Sequence, residues 1–488
     1  MALINIPHRI NFLERCIYLV YTIETGSSHI FGGPNPRAPA GDVCAGAYCL
    51  PKGVTSLQIS LLRAAVCATF LASTAVWAQQ RPEPAEAAGL QEEESQIVPP
   101  EDYPATLTTS SQPVPASFFG DTLLFSTDWP SVPTGSLGKG AGVAWPYIEN
   151  QRGVYEWSRL DGYVNAAAAH GVSIMFSPQY VPSWAVASQS TCKAGSFQTT
   201  ICSGMVSNIQ DWKNYVTALV TRYKGRIQYY ELWNEPENWF SGTVAEMVEL
   251  TNAEHDIIRS IDPAAKILSP SAVSYGSAYI DSYFTAGGTT DVDIVSMHLY
   301  PNTSNDVAEA IAASAPVSME TVMSKHGLSG KPLWNTESSW GYASKGAITN
   351  SDLRAAFIAR NFLLHWSVGL GRVYWYAWDS SDIGTLWSST GGANEAATAL
   401  KTVYGWMVGS TMSTCSENGA SSPYHAMYTC NMKLSTGASA QVVWYTDGNK
   451  TYSAPTTYAH YMDLTGATHS IPSNHQVTIG TKPILLEK

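Results

Sequence analysis

Apolar positions along this chain fall into two spacings. Short apolar runs at residues 118–126, 140–145, 172–178, 227–233, 266–269, 292–298, 332–337 and 372–378 have the length of buried strands. Between most of them the apolar spacing widens to a helical period. In "SNIQDWKNYVTALVTRYKG", Trp212, Tyr215, Val216 and Leu219 share one helix face, and Gly225 marks its end. "WSRLDGYVNAAAAHG" predicts a helix with Ser158 as N-cap and Gly171 as its stop. "SDLRAAFIARNFLLHWSVGLG" repeats the pattern before the last run. Eight apolar strands with helices between them predict an α/β fold with a parallel sheet. Its closed form, a (β/α)8 TIM barrel, needs roughly 250 residues, and residues 116–404 supply them. A doubly wound open sheet is the alternative, but no G-x-G-x-x-G follows the first strand. After residue 405 the pattern becomes short, alternating and turn-separated, which predicts a small antiparallel β-sandwich over 405–488.

The N-terminal part reads differently. In "SLLRAAVCATFLASTAVWAQQ", Arg63 interrupts an apolar stretch that runs on to Val76-Trp77-Ala78, a secretory signal with cleavage expected after Ala78. It occupies residues 52–78 of a leader spanning 1–78, so translation is expected to start downstream of Met1. The uninterrupted apolar part is short for a spanning helix, and no stable membrane span is expected in the mature chain. Residues 79–115 are rich in Pro, Glu, Ser and Thr and read as a disordered linker. Secretion or a periplasmic location agrees with the cysteines. Beyond the leader they fall into two local pairs, Cys192 with Cys202 and Cys415 with Cys430, a spacing that suits disulfides in an oxidising compartment. Sequence alone leaves the other pairings open.

Composition narrows the chemistry. Charged residues make up 14% against 45% hydrophobic, and the net charge is −12. With no basic run and no zinc-type Cys/His spacing, nucleic acid is not an expected partner, and neither a metal nor a cofactor is expected. The 16 Trp and 26 Tyr fit a carbohydrate ligand, because flat aromatic faces stack on the C–H faces of sugars.

Two carboxylates stand out. "YYELWNEPENWF" ends the fourth strand in Asn234-Glu235-Pro236, and "KPLWNTESSWGY" ends the seventh in Glu337. In a (β/α)8 barrel, reactive groups sit at the C-terminal ends of strands. Glycoside hydrolysis needs two carboxyl groups flanking the bond, one protonated to assist the leaving oxygen and one ionised.

These motifs resemble those of the (β/α)8 retaining glycosidases of clan A. "ELWNEP" is similar to the acid/base motif, "LWNTESSWG" to the nucleophile motif, "VDIVSMHLYP" to the sixth strand and "RVYWYAWD" to the eighth. "AWPYIENQRGVYEWSRLDGYV" is similar to a pattern of glycoside hydrolase family 39, which includes β-xylosidases and exopolysaccharide endo-hydrolases. The resemblance covers residues 116–488. It implies a secreted enzyme that cleaves β-glycosidic bonds in oligo- or polysaccharides by double displacement, with Glu235 as acid/base and Glu337 as nucleophile. By the same resemblance Asn234 contacts the 2-hydroxyl, His298 and Tyr300 support the nucleophile and sugar, and Trp378 is the platform under the reacting sugar. Trp340, Trp184 and Trp387 are further cleft candidates. One departure is "GSLGKGAGVAW", where many relatives carry an Arg and this chain offers Lys139 among glycines. The alternatives are a carbohydrate-binding protein on a catalytically inactive barrel and a metal-dependent hydrolase. His298 has no H-x-H or H-E-x-x-H companion for the latter.

Overall fold

A computed structural model describes residues 43–45, 48–50, 106–107, 112–125, 129–138, 142–273, 276–301, 308–342, 348–418 and 422–488, with only the backbone at 43–45, 48–50, 106–107, 310, 313 and 413–415. The chain forms two compact units, Met1–Gln96 and Ile97–Lys488. In the first, the antiparallel pair Val43–Ala45 and Tyr48–Leu50 is described. The signal-like stretch 52–78 and Lys139 lie outside the described residues.

In the second unit eight parallel strands form one sheet: β1 (Phe119–Asp121), β2 (Ser136–Leu137), β3 (Ser173–Phe176), β4 (Tyr229–Glu231), β5 (Lys266–Leu268), β6 (Val295–Leu299), β7 (Leu333–Ser338) and β8 (Arg372–Trp375). Their spatial order is β5-β4-β3-β2-β1-β8-β7-β6. Parallel bridges Leu268↔Ile294 and Ala272↔Met297 join the two outer strands and close the barrel. Helices α1 (Ser158–Ala169), α2 (Ile209–Tyr223), α3 (Val244–Ile261), α4 (Ser277–Thr285), α5 (Ala308–Lys325), α6 (Ser351–Ser367) and α7 (Glu395–Met407) alternate with the strands from β2 onward.

Local sequence explains these elements. In α2 the predicted face of Trp212, Tyr215, Val216 and Leu219 is fully buried. Asn208 caps it by accepting the Gln210 amide, and Gly225, at φ +72°, ends it. Helix α3 opens with a reciprocal capping box between Thr243 and Glu246. Ser158, expected as the N-cap of α1, is instead its first helical residue, and Trp157 holds the cap position without a side-chain bond.

Each expected strand overlaps its counterpart except the second. The strand expected at 140–145 lies earlier, at Ser136–Leu137, because Trp145 opens a short helix, Trp145–Ile148, with Pro146 in its first turn. The glycines here serve close packing: a Cβ on Gly135 would fall 1.8 Å from the Ala116 carbonyl oxygen.

Met175, Leu268, Ile294, Trp334 and Tyr374 fill the barrel. Arg372 enters from the N-terminal end of β8. Its guanidinium lies 4.1 Å from the Trp334 ring centre and bonds Ser173 and the hydroxyls of Tyr374 and Tyr229. The barrel is therefore a packed core on that side, and its open chemistry lies at the other end.

The C-terminal part is the expected sandwich. A seven-stranded sheet includes Thr411–Asn418, Met427–Lys433, Ser439–Tyr445 and Ile484–Glu487. It packs against the pair Lys450–Ser453 and Gln476–Ile479 through Val443, Leu486, Val477 and Ile479. Cys430 lies opposite Cys415 in the backbone register; the Cys415 side chain lies outside the described residues. Buried Glu309 on α5 joins the modules, accepting from Arg360 of α6 and from the Trp444 indole of the sheet. The seventh strand of this sheet is Thr106–Leu107, which pairs with Ser416 and Cys415. That strand lies in the stretch expected to be linker. Further along the same stretch Val114 is 1% exposed, and its amide bonds the Ser410 carbonyl.

Beyond β3 a small three-stranded sheet, Val181–Pro182, Thr200–Cys202 and Cys192–Ala194, carries the Cys192–Cys202 disulfide. Closing so short a loop stabilises by about 3 kcal/mol in the chain-entropy model. The Cys192→Ser/Cys202→Ser variant should lose about that much in denaturant unfolding, and mass spectrometry of the unreduced parent should show the linked peptide. Free thiols at both positions would refute the bond.

Glu254 on α3 is fully buried, and neither carboxyl oxygen has a hydrogen-bond partner among the described residues. Burial, reinforced by the negative charge of Glu231, holds its pKa well above the ordinary carboxyl range. In the unfolded chain a glutamate ionises near pH ~4.3. Above that pH the unfolded state releases a proton that the folded state keeps, so stability falls as pH rises towards the folded pKa. Glu254→Gln cannot ionise in either state. The Tm of this variant relative to the parent should climb between pH ~4.5 and ~7.5, whereas a constant difference would count against the assignment.

Candidate active site

Strand β4 stops at Glu231, and the chain turns sharply through Leu232–Pro236. Trp233 and Glu235 adopt positive φ, +84° and +43°. Left-handed backbone at such residues costs about 1–3 kcal/mol each and persists only where neighbours fix it. Here Ser271, just beyond β5, does so: its carbonyl accepts the Glu235 amide at 3.0 Å and its amide donates to the Trp233 carbonyl at 3.1 Å. Pro236 then starts the one-turn helix Pro236–Trp239. That turn carries Trp239 back over Glu235, where its indole N–H donates to Oε2 at 2.9 Å.

Glu337 lies one residue from the end of β7. The register against β8 shifts between Asn335 and Ser338, and that against β6 shifts between Met297 and His298. Such irregularities re-aim side chains at a barrel rim. Both glutamates are 8% exposed, and His298 between them is fully buried. His298 Nδ1 is 2.6 Å from Glu235 Oε1 and 3.6 Å from Glu337 Oε2. The Tyr300 hydroxyl donates to Glu337 Oε2 at 2.9 Å. One oxygen of each glutamate and a His298 nitrogen lie within 4.8 Å of one another. A metal ion could be held by such a trio, but the same closeness serves two carboxyl groups acting on one bond.

Electrostatics follow from this crowding. Burial alone would lower the His298 pKa; Glu337, the bond to Glu235 and the charge of Glu231 outweigh it and raise the pKa. Burial, then the negative glutamates, holds the phenols of Tyr180, Tyr300 and Tyr376 above their ordinary value and pushes Tyr342 to about 12. All four phenols stay protonated and can donate hydrogen bonds near neutral pH.

The structure thus brings Glu235, Glu337, His298 and Tyr300 together, with Asn234 next to them, 7% exposed and bridged to Ser271. It does not bring the tryptophans as expected. Trp378 is 3% exposed and stacks on Trp387 at 6.4 Å, so its ring lies within the core; the phenol of Tyr376, two residues earlier, lies in the field of both glutamates. Trp340 is 1% exposed and packs on Trp375 at 4.9 Å, within the core. Trp184 is half-buried against Trp145, with Arg152 over its ring and its N–H on the Glu149 carbonyl. None of these contacts reaches the glutamates.

Sequence reading missed Trp239, Tyr180, Tyr342 and Tyr376. Trp239 had a signal, since Pro236 starts a helical turn that returns position 239 to Glu235. The disulfide-bonded strand adds Lys193, whose ammonium lies 4.5 Å from the Trp239 ring centre.

Comparison with known proteins agrees with this fold. A family 39 glycoside hydrolase from the gut symbiont Bacteroides cellulosilyticus WH2 superposes with a TM-score of 0.58 at 17% identity, over 76% of this chain and 81% of that one. A monomeric β-xylosidase from Caulobacter crescentus CB15 gives 0.55 at 13%, over 78% and 97%. The family 39 enzyme from Xanthomonas axonopodis pv. citri gives 0.54 at 14%, over 82% and 99%. At these identities the likeness is one of fold. The sequence profile described as glycosyl hydrolases family 39 matches residues 143–400. With more than half of the chain matched, from the second barrel strand's loop to the helix after the eighth, this protein belongs to glycosyl hydrolase family 39 and is a glycosidase.

Proposed function

We propose that this glycosidase is a secreted, retaining enzyme that cleaves β-glycosidic bonds in oligo- or polysaccharides, with Glu235 as acid/base and Glu337 as nucleophile. The observation that carries the reading is the carboxyl separation. Oxygens within 4.8 Å lie nearer the roughly 5 Å of retaining enzymes than the about 6.5–9.5 Å of inverting ones.

In the first step a Glu337 oxygen attacks the anomeric carbon, the bond to the leaving oxygen breaks, and that oxygen takes the proton of Glu235. In the second, Glu235 takes a proton from water, the water oxygen attacks the same carbon, and the ester to Glu337 breaks. Tyr300 orients the nucleophile through its 2.9 Å bond. His298 lies between the carboxyls, with its Nδ1 within reach of both. Trp239 fixes the rotamer of Glu235. Asn234 is assigned the 2-hydroxyl, and Tyr376 takes the platform role first given to Trp378. Export is supported by the Cys192–Cys202 bond. No described helix is long and apolar enough to cross a membrane.

Glu235→Ala should reduce kcat/KM steeply for glycosides with poor leaving groups and much less for activated aryl glycosides, whose leaving oxygen needs little protonation. Equal losses on both would remove Glu235 from the acid role.

The stereochemical test bears on the whole reading. NMR of the first sugar released should show retention of anomeric configuration. Glu337→Gly should be nearly inactive, and azide, filling the space of the lost oxygen, should restore turnover as a glycosyl azide of opposite configuration. An inverted first product from the parent enzyme would exclude the retaining mechanism.

A further inference from the structure

Glu231 is a third carboxyl group of this barrel, fully buried on β4 four residues before Glu235. Its two oxygens serve different strands. Oε1 accepts the Thr336 hydroxyl at 2.6 Å, and Oε2 accepts the Ser271 hydroxyl at 3.2 Å. Thr336 immediately precedes Glu337 on β7. Ser271 is the residue whose carbonyl and hydroxyl lie 3.0 and 3.4 Å from the Glu235 amide. Thr336 and Ser271 are themselves buried, at 1% and 0% exposure.

We propose that Glu231 is a positioning residue: one buried carboxylate that sets the spacing of the two reacting glutamates by holding Thr336 on one side and Ser271 on the other. The inference rests on the roles given above to Glu235 and Glu337. An ionised carboxylate suits the task because it only accepts, so both hydroxyls can point at it at once. A Gln would offer one acceptor and one donor, and one hydroxyl would have to turn away. Thr336 could then turn to the Met297 carbonyl, 3.4 Å away, and Ser271 to the Trp233 carbonyl, 3.5 Å away. Both are longer than the bonds to Glu231. Charged and titratable groups facing Glu231 include Glu254 of α3 and His298 of β6.

The two arms act on different halves of the chemistry, which separates positioning from a general structural role. Ser271 acts through the acid/base, so its loss should depend on the leaving group. Thr336 acts through the nucleophile, so its loss should not. The experiment measures kcat/KM on a series of aryl glycosides of falling leaving-group pKa, for Ser271→Ala, Thr336→Val, Thr336→Ser and Glu231→Gln, with Tm recorded for each. Ser271→Ala should lose about tenfold on the poorest leaving groups and less than about twofold on the best, while Thr336→Val should lose about tenfold across the series. Thr336→Ser, which keeps the hydroxyl, should recover most of that loss. Glu231→Gln should show both effects, and adding either hydroxyl deletion to it should cost little more.

Losses that follow Tm without regard to leaving group would overturn the proposal. So would a Thr336→Ser variant as slow as Thr336→Val, or full additivity with Glu231→Gln. Failure of the underlying functional reading shows elsewhere, as activity retained when Glu235 or Glu337 is itself replaced, and is distinguishable from each of these.

Discussion

Two carboxyl groups with oxygens within 4.8 Å of each other, each about nine-tenths buried, form the constraint around which this barrel is arranged. Were both ionised, they would repel by roughly 3 kcal/mol at an effective dielectric of about 20. In the proposed mechanism one carboxyl of the pair carries a proton and the other does not. The fully buried His298 shares that proton economy, since its Nδ1 reaches both glutamates.

Holding repelling groups in place requires rigid supports, and each glutamate has its own. Glu235 sits on left-handed backbone fixed by Ser271 and is clasped by Trp239. Trp239 lies in turn beneath Lys193 of the disulfide-bonded strand. Glu337 is held within a strand whose register is shifted on both sides, and Tyr300 bonds its oxygen. Support thus reaches the site from the backbone below and from the long loop after β3 above. The opposite end of the barrel is filled around Arg372.

Much of this was legible in the sequence, for identifiable reasons. Glu235 and Glu337 could be read because each breaks an apolar run at a strand end, where a charge has no use in packing. Helix α2 could be read because one face carries only large apolar residues. The second strand could not, since its two residues lie among glycines whose role is close backbone contact, and glycine carries no periodic signal. Trp378 and Tyr376 were confused for a different reason. Regular strand ends at Trp375, so alternation no longer says which ring faces the sugar. Trp340 misled because a tryptophan beside a catalytic motif looks the same in sequence whether it lines a cleft or fills the core behind it. Thr106–Leu107 was hidden by its Pro- and Ser-rich surroundings, which look solvated until a partner strand from the far end of the chain is available.

That partner strand gives the fold a temporal order. Thr106–Leu107 leaves the ribosome before any barrel strand, while Thr411–Asn418, with which it pairs, follows the last barrel helix. The sandwich sheet therefore cannot be completed until the whole barrel has been synthesised. Pairing the early segment closes a long loop, and the entropy of that closure is smaller once the folded barrel has brought Val114 beside Ser410. Once paired, this closing strand works as a latch that ties the start of the barrel to the sandwich that follows it.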